Sequence, residues 1–341
     1  MTRRAVIIGG SGQIGRAVAA NLLDHGWSVV CAQRHPDDLP AELRGRVDVV
    51  ALDRNEESPA RAVGQGADLL VDTVAFTAAH AAQLLELAGD VGALSVISTG
   101  SVYADAAGRT LDEARETGFP QYPVPIREDQ PRTAPGPATY STHKVALEDA
   151  LLDAWPRDLT ILRPGAIYGP GCRSPREWWA LQRLLDGRAK IPLAYGGASR
   201  FHTSATANVA ELVRIAAGQP GVRVLNAVDP EALSVAELVR AIMRATGRSA
   251  ELLLIPGPPE GLFGMSPWSI PGPVVLDMAA AEALGYAPVT DYAGFVGETC
   301  RDLIGRAERR PWREVFPGLA PYPAAMFDYQ AEDAAFEVLH G

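Results

Sequence analysis

The sequence predicts an α/β protein: a doubly wound parallel sheet with a smaller C-terminal substrate-binding lobe. Three observations carry this expectation. In the first half, short β-branched runs alternate with amphipathic stretches, the pattern of βαβ units. Runs such as Leu69-Leu70-Val71 are apolar at every position, as strands covered on both faces must be. After Tyr168 the texture changes, and Gly169-Pro170-Gly171, Gly196-Gly197 and Pro256–Pro273 punctuate helical pieces. A chain of 341 residues has room for two domains. They are expected at 1–168, with later segments returning to it, and at 169–341.

Taken in order, strands are expected at Ala5–Ile8, Ser28–Gln33, Val47–Leu52, Asp68–Ala75, Ala93–Ser98 and Leu159–Arg163. Between them, Gly15–His25 places Val18, Ala19, Leu22 and Leu23 on one helical face, and Ala78–Ala88 is a second helix. No internal repeat or low-complexity tract interrupts the pattern. The last segment, Pro311–Gly341, carries Trp312, Phe316, Tyr322, Phe327, Tyr329 and Phe336, expected to pack on the main body or, alternatively, to cover a substrate.

Composition excludes several classes. Lys+Arg number 31 against 41 Asp+Glu, a net charge of −10 that argues against nucleic-acid binding. No apolar run approaches the roughly 20 residues of a membrane span. The apolar run at Ala5–Ile8 is too short for a signal peptide, so a cytoplasmic protein is expected. Cys31, Cys172 and Cys300 are odd in number and far apart, which suits neither a disulfide framework nor a CxxC site. No His/Cys/Asp/Glu group has metal-ligand spacing, so no metal is expected.

The first strand runs directly into Gly9-Gly10-Ser11-Gly12-Gln13-Ile14-Gly15 and then a helix. Gly9, Gly12 and Gly15 permit a tight turn, close approach of backbone N–H groups to a pyrophosphate, and packing of helix on strand. With Gln13 and Ile14 at the helix N-terminus, they form the expected dinucleotide site of a Rossmann-type sheet. The second strand ends Gln33-Arg34-His35, with no acid at its tip. Arg34 suits a 2′-phosphate, which favours NADP(H), whereas Asp37 and Asp38 leave NAD(H) possible. Asp53, closing the third strand, meets an adenine amino group or simply caps the strand.

Tyr140 and Lys144, four apart, share one helical face. A neighbouring ammonium favours the tyrosinate, making the phenol a usable acid or base, and can hold the nicotinamide ribose. Thr99, after the fifth strand, offers a hydroxyl to orient a carbonyl or alcohol oxygen. These three are the expected catalytic set.

With these segments the chain resembles an extended short-chain dehydrogenase/reductase of the NAD-dependent epimerase/dehydratase family. The matching stretches are Gly9–Gly15, Ser98-Thr99-Gly100-Ser101-Val102-Tyr103, Glu128-Asp129-Gln130-Pro131, Tyr140–Lys144 and Leu162–Gly171. The resemblance implies a Rossmann-type sheet, a C-terminal substrate lobe, a Thr99–Tyr140–Lys144 active site, and a homodimer through a four-helix interface. Two departures count. Sugar-nucleotide members usually carry Asn three residues after the strand-end Arg, where this chain has Ala166. Arg173–Trp179, Leu184–Pro192 and Arg200–Leu212 are similar to the branch that includes the chloroplast stem-loop RNA-binding proteins, some of which lack the catalytic pair kept here.

In the lobe, Arg200, with His202 and Arg173, is a candidate for an anionic substrate group, and solvated charge is the alternative. Trp268, in a Pro/Gly-rich loop, is the candidate lid residue. Trp178-Trp179 are core or an aromatic wall, and His80 and His143 are expected to be structural or exposed. The expected function is hydride transfer between a nicotinamide and a ketone or secondary alcohol of a small molecule. The alternatives are a nucleotide-sugar epimerase or dehydratase and, third, a non-catalytic nucleotide- or RNA-binding member.

Overall fold

In the computed structural model, which describes residues 2–64, 66–327 and 329–340, seven strands form one parallel sheet. They are β1 (Arg4–Ile8), β2 (Ser28–Gln33), β3 (Asp48–Ala51), β4 (Ala67–Asp72), β5 (Val91–Ile97), β6 (Asp158–Pro164) and β7 (Val222–Ala227). Their order across the sheet is β7-β6-β5-β4-β1-β2-β3. Six lie where the sequence pattern puts them, within a few residues. β7 is not among the predicted strands. Its first residue is 54% exposed, and Arg223 and Asn226 interrupt the apolar run on which the prediction relied.

The alternation along β1 shows why the sheet is covered on both sides. Ala5 and Ile7 pack with α1 (Gln13–Asp24) through Val18 and Leu22. Val6 and Ile8 pack on the opposite face with α2 (Ala78–Leu85) and α3 (Tyr140–Ala154), through Leu84, Leu147 and Leu151. A fourth helix, α4 (Thr206–Ala217), joins the α1 face through Val209 and Val213. The strand order turns about β1, with β2 on one side and β4 on the other. Their ends align: Ile8 pairs with Ala32 and with Asp72, and Asp72 with Val96. In open α/β sheets the crevice outside such a switch point is where ligands bind.

The chain divides into two compact units, Met1–Ile167 with Thr206–Val228 and Leu276–Val289, and Tyr168–Ala205 with Asp229–Val275 and Thr290–Gly341. Met1, Gln65, Asp328 and Gly341, which the two expected domains include, lie outside the described residues. The second unit is built round Trp178, Trp179, Trp268, Leu238 and Val296. The tail packs into this unit: Trp312 lies 4.7 Å from Phe327, Phe316 lies 4.9 Å from Trp178, and Phe336 lies 5.7 Å from Phe263. Buried Arg183 donates to Met326 O and is ion-paired with Glu332 of the tail. Cys31, Cys172 and Cys300 are free and buried, and burial pushes each thiol up to about 12. Among the described residues no helix is long and apolar enough to cross a membrane.

One buried polar network locks α3 to the sheet. Glu148, fully buried, accepts from Arg163 Nε (3.0 Å) and Nη2 (2.6 Å) of β6, from Arg132 Nη1 (2.9 Å), and from Ser98 Oγ. Removing one partner of a buried pair strands the other charge, at a cost of about 3–5 kcal/mol. Glu148→Leu is therefore expected to lose about that much in urea unfolding. A loss below about 1 kcal/mol, the scale of an exposed pair, would show that the network does not hold the helix.

Candidate active site

The loop after β1 is shaped by what a side chain would hit. Gly9 has φ +88°, and a Cβ there would fall 2.4 Å from Thr73 Oγ1. A Cβ on Gly15 would fall 2.2 Å from Gly9 O, so α1 approaches the turn as closely as it does only because Gly15 has none. Gly12 is the N-cap of α1, with no side-chain cap and no acid in the first turn. The ladder starts with Arg16 N on Gly12 O (2.9 Å), leaving the amides of Gln13, Ile14 and Gly15 without intrahelical acceptors. Gln13 Oε1 is buried with no hydrogen-bond partner. An uncapped helix N-terminus, a side-chain-free cradle and an orphaned buried oxygen together fit a bound dinucleotide pyrophosphate.

At the tip of β2, buried Gln33 holds the turn by donating from Nε2 to His35 O (3.0 Å) and Pro36 O (3.3 Å), and its Oε1 has no partner. Arg34 is exposed and makes no ion pair or hydrogen bond among the described residues. Asp37 and Asp38 are exposed in the turn that follows. Asp53 closes the turn after β3: its Oδ1 accepts from Asn55 N (3.1 Å), and its carbonyl accepts from Glu56 and Glu57.

The acid–base candidates sit on α3, which opens with a capping box between Thr139 and Thr142. That cap starts the helix at Tyr140, so Tyr140, Lys144 and Glu148 follow one another along one face, a turn apart. Lys144 is 5% exposed and donates from Nζ to Ala75 O (2.7 Å), beyond β4, and to Ile97 O (2.8 Å), at the end of β5. Two of its three donors are thus used. Burial lowers its pKa to about 8, with Glu148 opposing the shift and Arg54 adding to it. Tyr140 is 48% exposed and stacks on Phe76 at 5.5 Å.

The ammonium lies 5.9 Å from the Tyr140 ring, and its bonds go to the backbone. Without the expected pull of a close cation, partial desolvation raises the phenol above its ordinary value; Thr99 works against that shift and Asp112 with it. Thr99 Oγ1 lies 3.0 Å from Ser101 Oγ, to which Ser141 Oγ donates at 2.9 Å, so the hydroxyl belongs to a chain anchored on α3. Sequence reasoning missed Phe76 and Glu148. Glu148 carried a readable signal, the i, i+4 spacing continued from Tyr140 and Lys144. Phe76 carried none.

His80 accepts from Phe76 N at Nδ1 (2.9 Å), a structural role, and burial lowers its pKa, as do the charges of Arg54 and Lys144. In the second unit, Arg200 is exposed, donates to Ala232 O and faces Glu237 at 3.7 Å. His202 is buried, with Nε2 2.9 Å from Asp229 O. Trp268, expected as a lid, is instead fully buried in its unit's core. Its indole N–H has no acceptor, and its amide donates to Ser266 Oγ (3.3 Å). Ala166 is buried, and a methyl group offers no donor at that position.

A family model described as NAD dependent epimerase/dehydratase family matches residues 5–226. No curated protein matches the sequence. Among solved structures, the chain is similar to dTDP-glucose 4,6-dehydratase from Bacillus anthracis str. Ames in complex with NAD, at 15% identity and TM-score 0.66, covering 92% of this chain and 100% of that one. UDP-glucuronic acid 4-epimerase from Bacillus cereus, in complex with UDP-glucuronic acid and NAD, is 16% identical at TM-score 0.66, covering 89% and 99%. UDP-glucose 4-epimerase from Thermotoga maritima, with UDP-glucose, is 17% identical at TM-score 0.65, also covering 89% and 99%. At these identities the likeness is one of fold.

The glycine cradle makes a direct prediction. Gly15→Ala is expected to cost about 1–3 kcal/mol, because backbone must move to admit the methyl group, and to weaken dinucleotide binding with it. Gly89→Ala, with open space where its Cβ would go, should change neither. Thermal melts and NADPH titrations of the two variants check this. Equal behaviour would mean that the close approach at Gly15 is unimportant.

Proposed function

As the chain belongs to the NAD dependent epimerase/dehydratase family, we propose that it is an oxidoreductase that interconverts a ketone and a secondary alcohol of a small molecule. The observation that carries this reading is the placement of Tyr140. A half-exposed phenol stands one turn before a buried ammonium, beside the Thr99 hydroxyl, at the carboxyl ends of the strands that follow the glycine cradle. Gly9, Gly12, Gln13, Ile14 and Gly15 would hold the pyrophosphate, and the remaining donor of Lys144 a ribose hydroxyl. The nicotinamide, when bound, supplies or accepts the hydride. In the reducing direction Tyr140 gives its proton to the carbonyl oxygen, and Thr99 orients that oxygen by a hydrogen bond. A phenol pKa held above the ordinary value keeps the proton on Tyr140 until substrate arrives. The same reading carries a homodimeric cytoplasmic protein with no nucleic-acid or membrane partner.

Lys144 sets the pH window. Its depressed pKa means that the ammonium is fully present below about 8 and is lost as pH rises through that value. Cofactor grip and turnover should therefore decline on the alkaline side.

NADP(H) is the cofactor favoured by Arg34, a free guanidinium where an NAD site would carry an acid. Two of the similar structures are named with NAD, and Asp37 and Asp38, acids just beyond the tip of β2, support NAD(H) as the alternative. The second reading, a nucleotide-sugar epimerase or dehydratase, is favoured by the names of those neighbours and opposed by Ala166. NAD held through purification would favour it, and exchangeable NADPH the reductase.

Three substitutions test this reading. Arg34→Ala should weaken NADPH by about 1–3 kcal/mol, the scale of a charged hydrogen bond, and leave NADH unchanged. Nicotinamide fluorescence reads both; equal losses would remove Arg34 from the cofactor site. Tyr140→Phe keeps the ring but deletes the acid, so kcat on any carbonyl compound the wild type reduces should fall about 10²–10⁴-fold. Lys144→Met should lose cofactor affinity as well. Full turnover by Tyr140→Phe would place the proton donor elsewhere.

A further inference from the structure

The turn after β4 touches the glycine loop, Lys144 and Tyr140. Thr73 and Val74 lie where a Cβ on Gly9 would be, and Thr73 Oγ1 donates to Ile8 O (2.9 Å) and Gly9 O (3.4 Å). Ala75 O accepts from Lys144 Nζ, and the Phe76 ring stacks on Tyr140. The conformation of these four residues is fixed chiefly by one side chain. Asp72, fully buried, accepts at Oδ1 from Val74 N (2.9 Å) and Ala75 N (2.7 Å). Its Oδ2 is ion-paired with Arg54 Nη1. Arg54, itself buried, reaches on to His80 O (3.3 Å) and Gln83 Oε1 (3.2 Å) of α2, and Gln83 Nε2 donates back to Arg54 O (3.0 Å).

We propose that the buried Arg54–Asp72 pair is a positioning device for Lys144 and the glycine loop, setting how tightly the site holds a nicotinamide dinucleotide. Asp72 clamps the amides of residues 74 and 75, and this aims the Ala75 carbonyl at Lys144. Arg54 braces Asp72 against α2, so the turn cannot rotate without breaking buried bonds. The charged and titratable groups around Lys144 are Arg54, itself paired with Asp72, His80 from α2, and Tyr140 and Glu148 from its own helix. Arg54 is the cation among them that opposes protonation of Lys144. The proposal rests on the reading above only in taking Lys144 to hold the nicotinamide ribose.

The test is NADPH titration of the full chain across the pH range in which wild-type affinity declines. The paired variant Arg54→Met with Asp72→Asn removes both charges together, so no buried ion is left alone. Its NADPH affinity should fall about 10- to 100-fold, the scale of a misplaced binding group, and its alkaline transition should move to higher pH. Arg54→Lys keeps the cation but cannot span Asp72, His80 and Gln83; affinity should fall with the transition unmoved.

Wild-type affinity in the paired variant would overturn the proposal. So would, in the paired variant alone, a loss of affinity with an unmoved transition, because both charges are then gone and Lys144 would not have felt them. If the paired variant does not fold, Arg54→Lys decides, and wild-type binding by it refutes the positioning role. Turnover of Tyr140→Phe tests the reaction assignment separately, so the two can fail independently.

Discussion

Burying an ammonium ion is the constraint on which this site depends. Lys144 is buried at the carboxyl edge of the sheet, where an unpartnered charge would be costly. The fold meets that cost with two backbone carbonyls, Ala75 O in the turn after β4 and Ile97 O at the end of β5, and with Glu148 one turn along the same helix. The result is a charge fixed in place but still easily titrated. A lysine in water is not held in place, and it titrates at higher pH. The registers of β4 and β5, the start of α3 and the turn after β4 all have to agree for the ammonium to meet both oxygens.

The same helix shows how stability and function are divided along one face. Glu148 is committed to Arg163 and Arg132, deep in the structure, and Tyr140 at the other end remains half exposed. Lys144 sits between them and belongs to both sets. The capping box at Thr139 and Thr142 sets the start of the helix, so it also sets which residues form this stripe. In the second unit, buried charge is used differently: Arg183 and Glu332 secure the tail, and the tryptophans supply the core.

Much of this was legible in the sequence where one residue type has few physical alternatives. A φ of +88° at the end of the first strand leaves little choice but Gly9, and at Gly15 a Cβ would fall 2.2 Å from the Gly9 carbonyl oxygen, so no side chain fits there. Tyr140 and Lys144 are readable because helical spacing converts directly into a shared face. What was not legible depends on pairings distant in sequence. Arg54 and Asp72 meet because the turn after β3 brings Arg54 back to the end of β4, past the two strands that stand between β3 and β4 in the sheet, and no local spacing records that. Trp268 was misread for a related reason. Its Pro/Gly-rich surroundings describe a loop, but the indole anchors that loop in the core. Local composition could not distinguish a covering loop from an anchored one.

Lys144 and Lys190 are the two lysines of the sequence, which makes the central claim unusually accessible. With lysine labelled at Cε and Nζ, NMR titration gives two resolvable side chains, assigned by Lys190→Arg. The account predicts that Lys144 loses its proton near about 8, well below an ordinary lysine. A Lys144 signal titrating near 10.4, as in a solvated lysine, would contradict the buried, carbonyl-held ammonium on which the reading of this site is built.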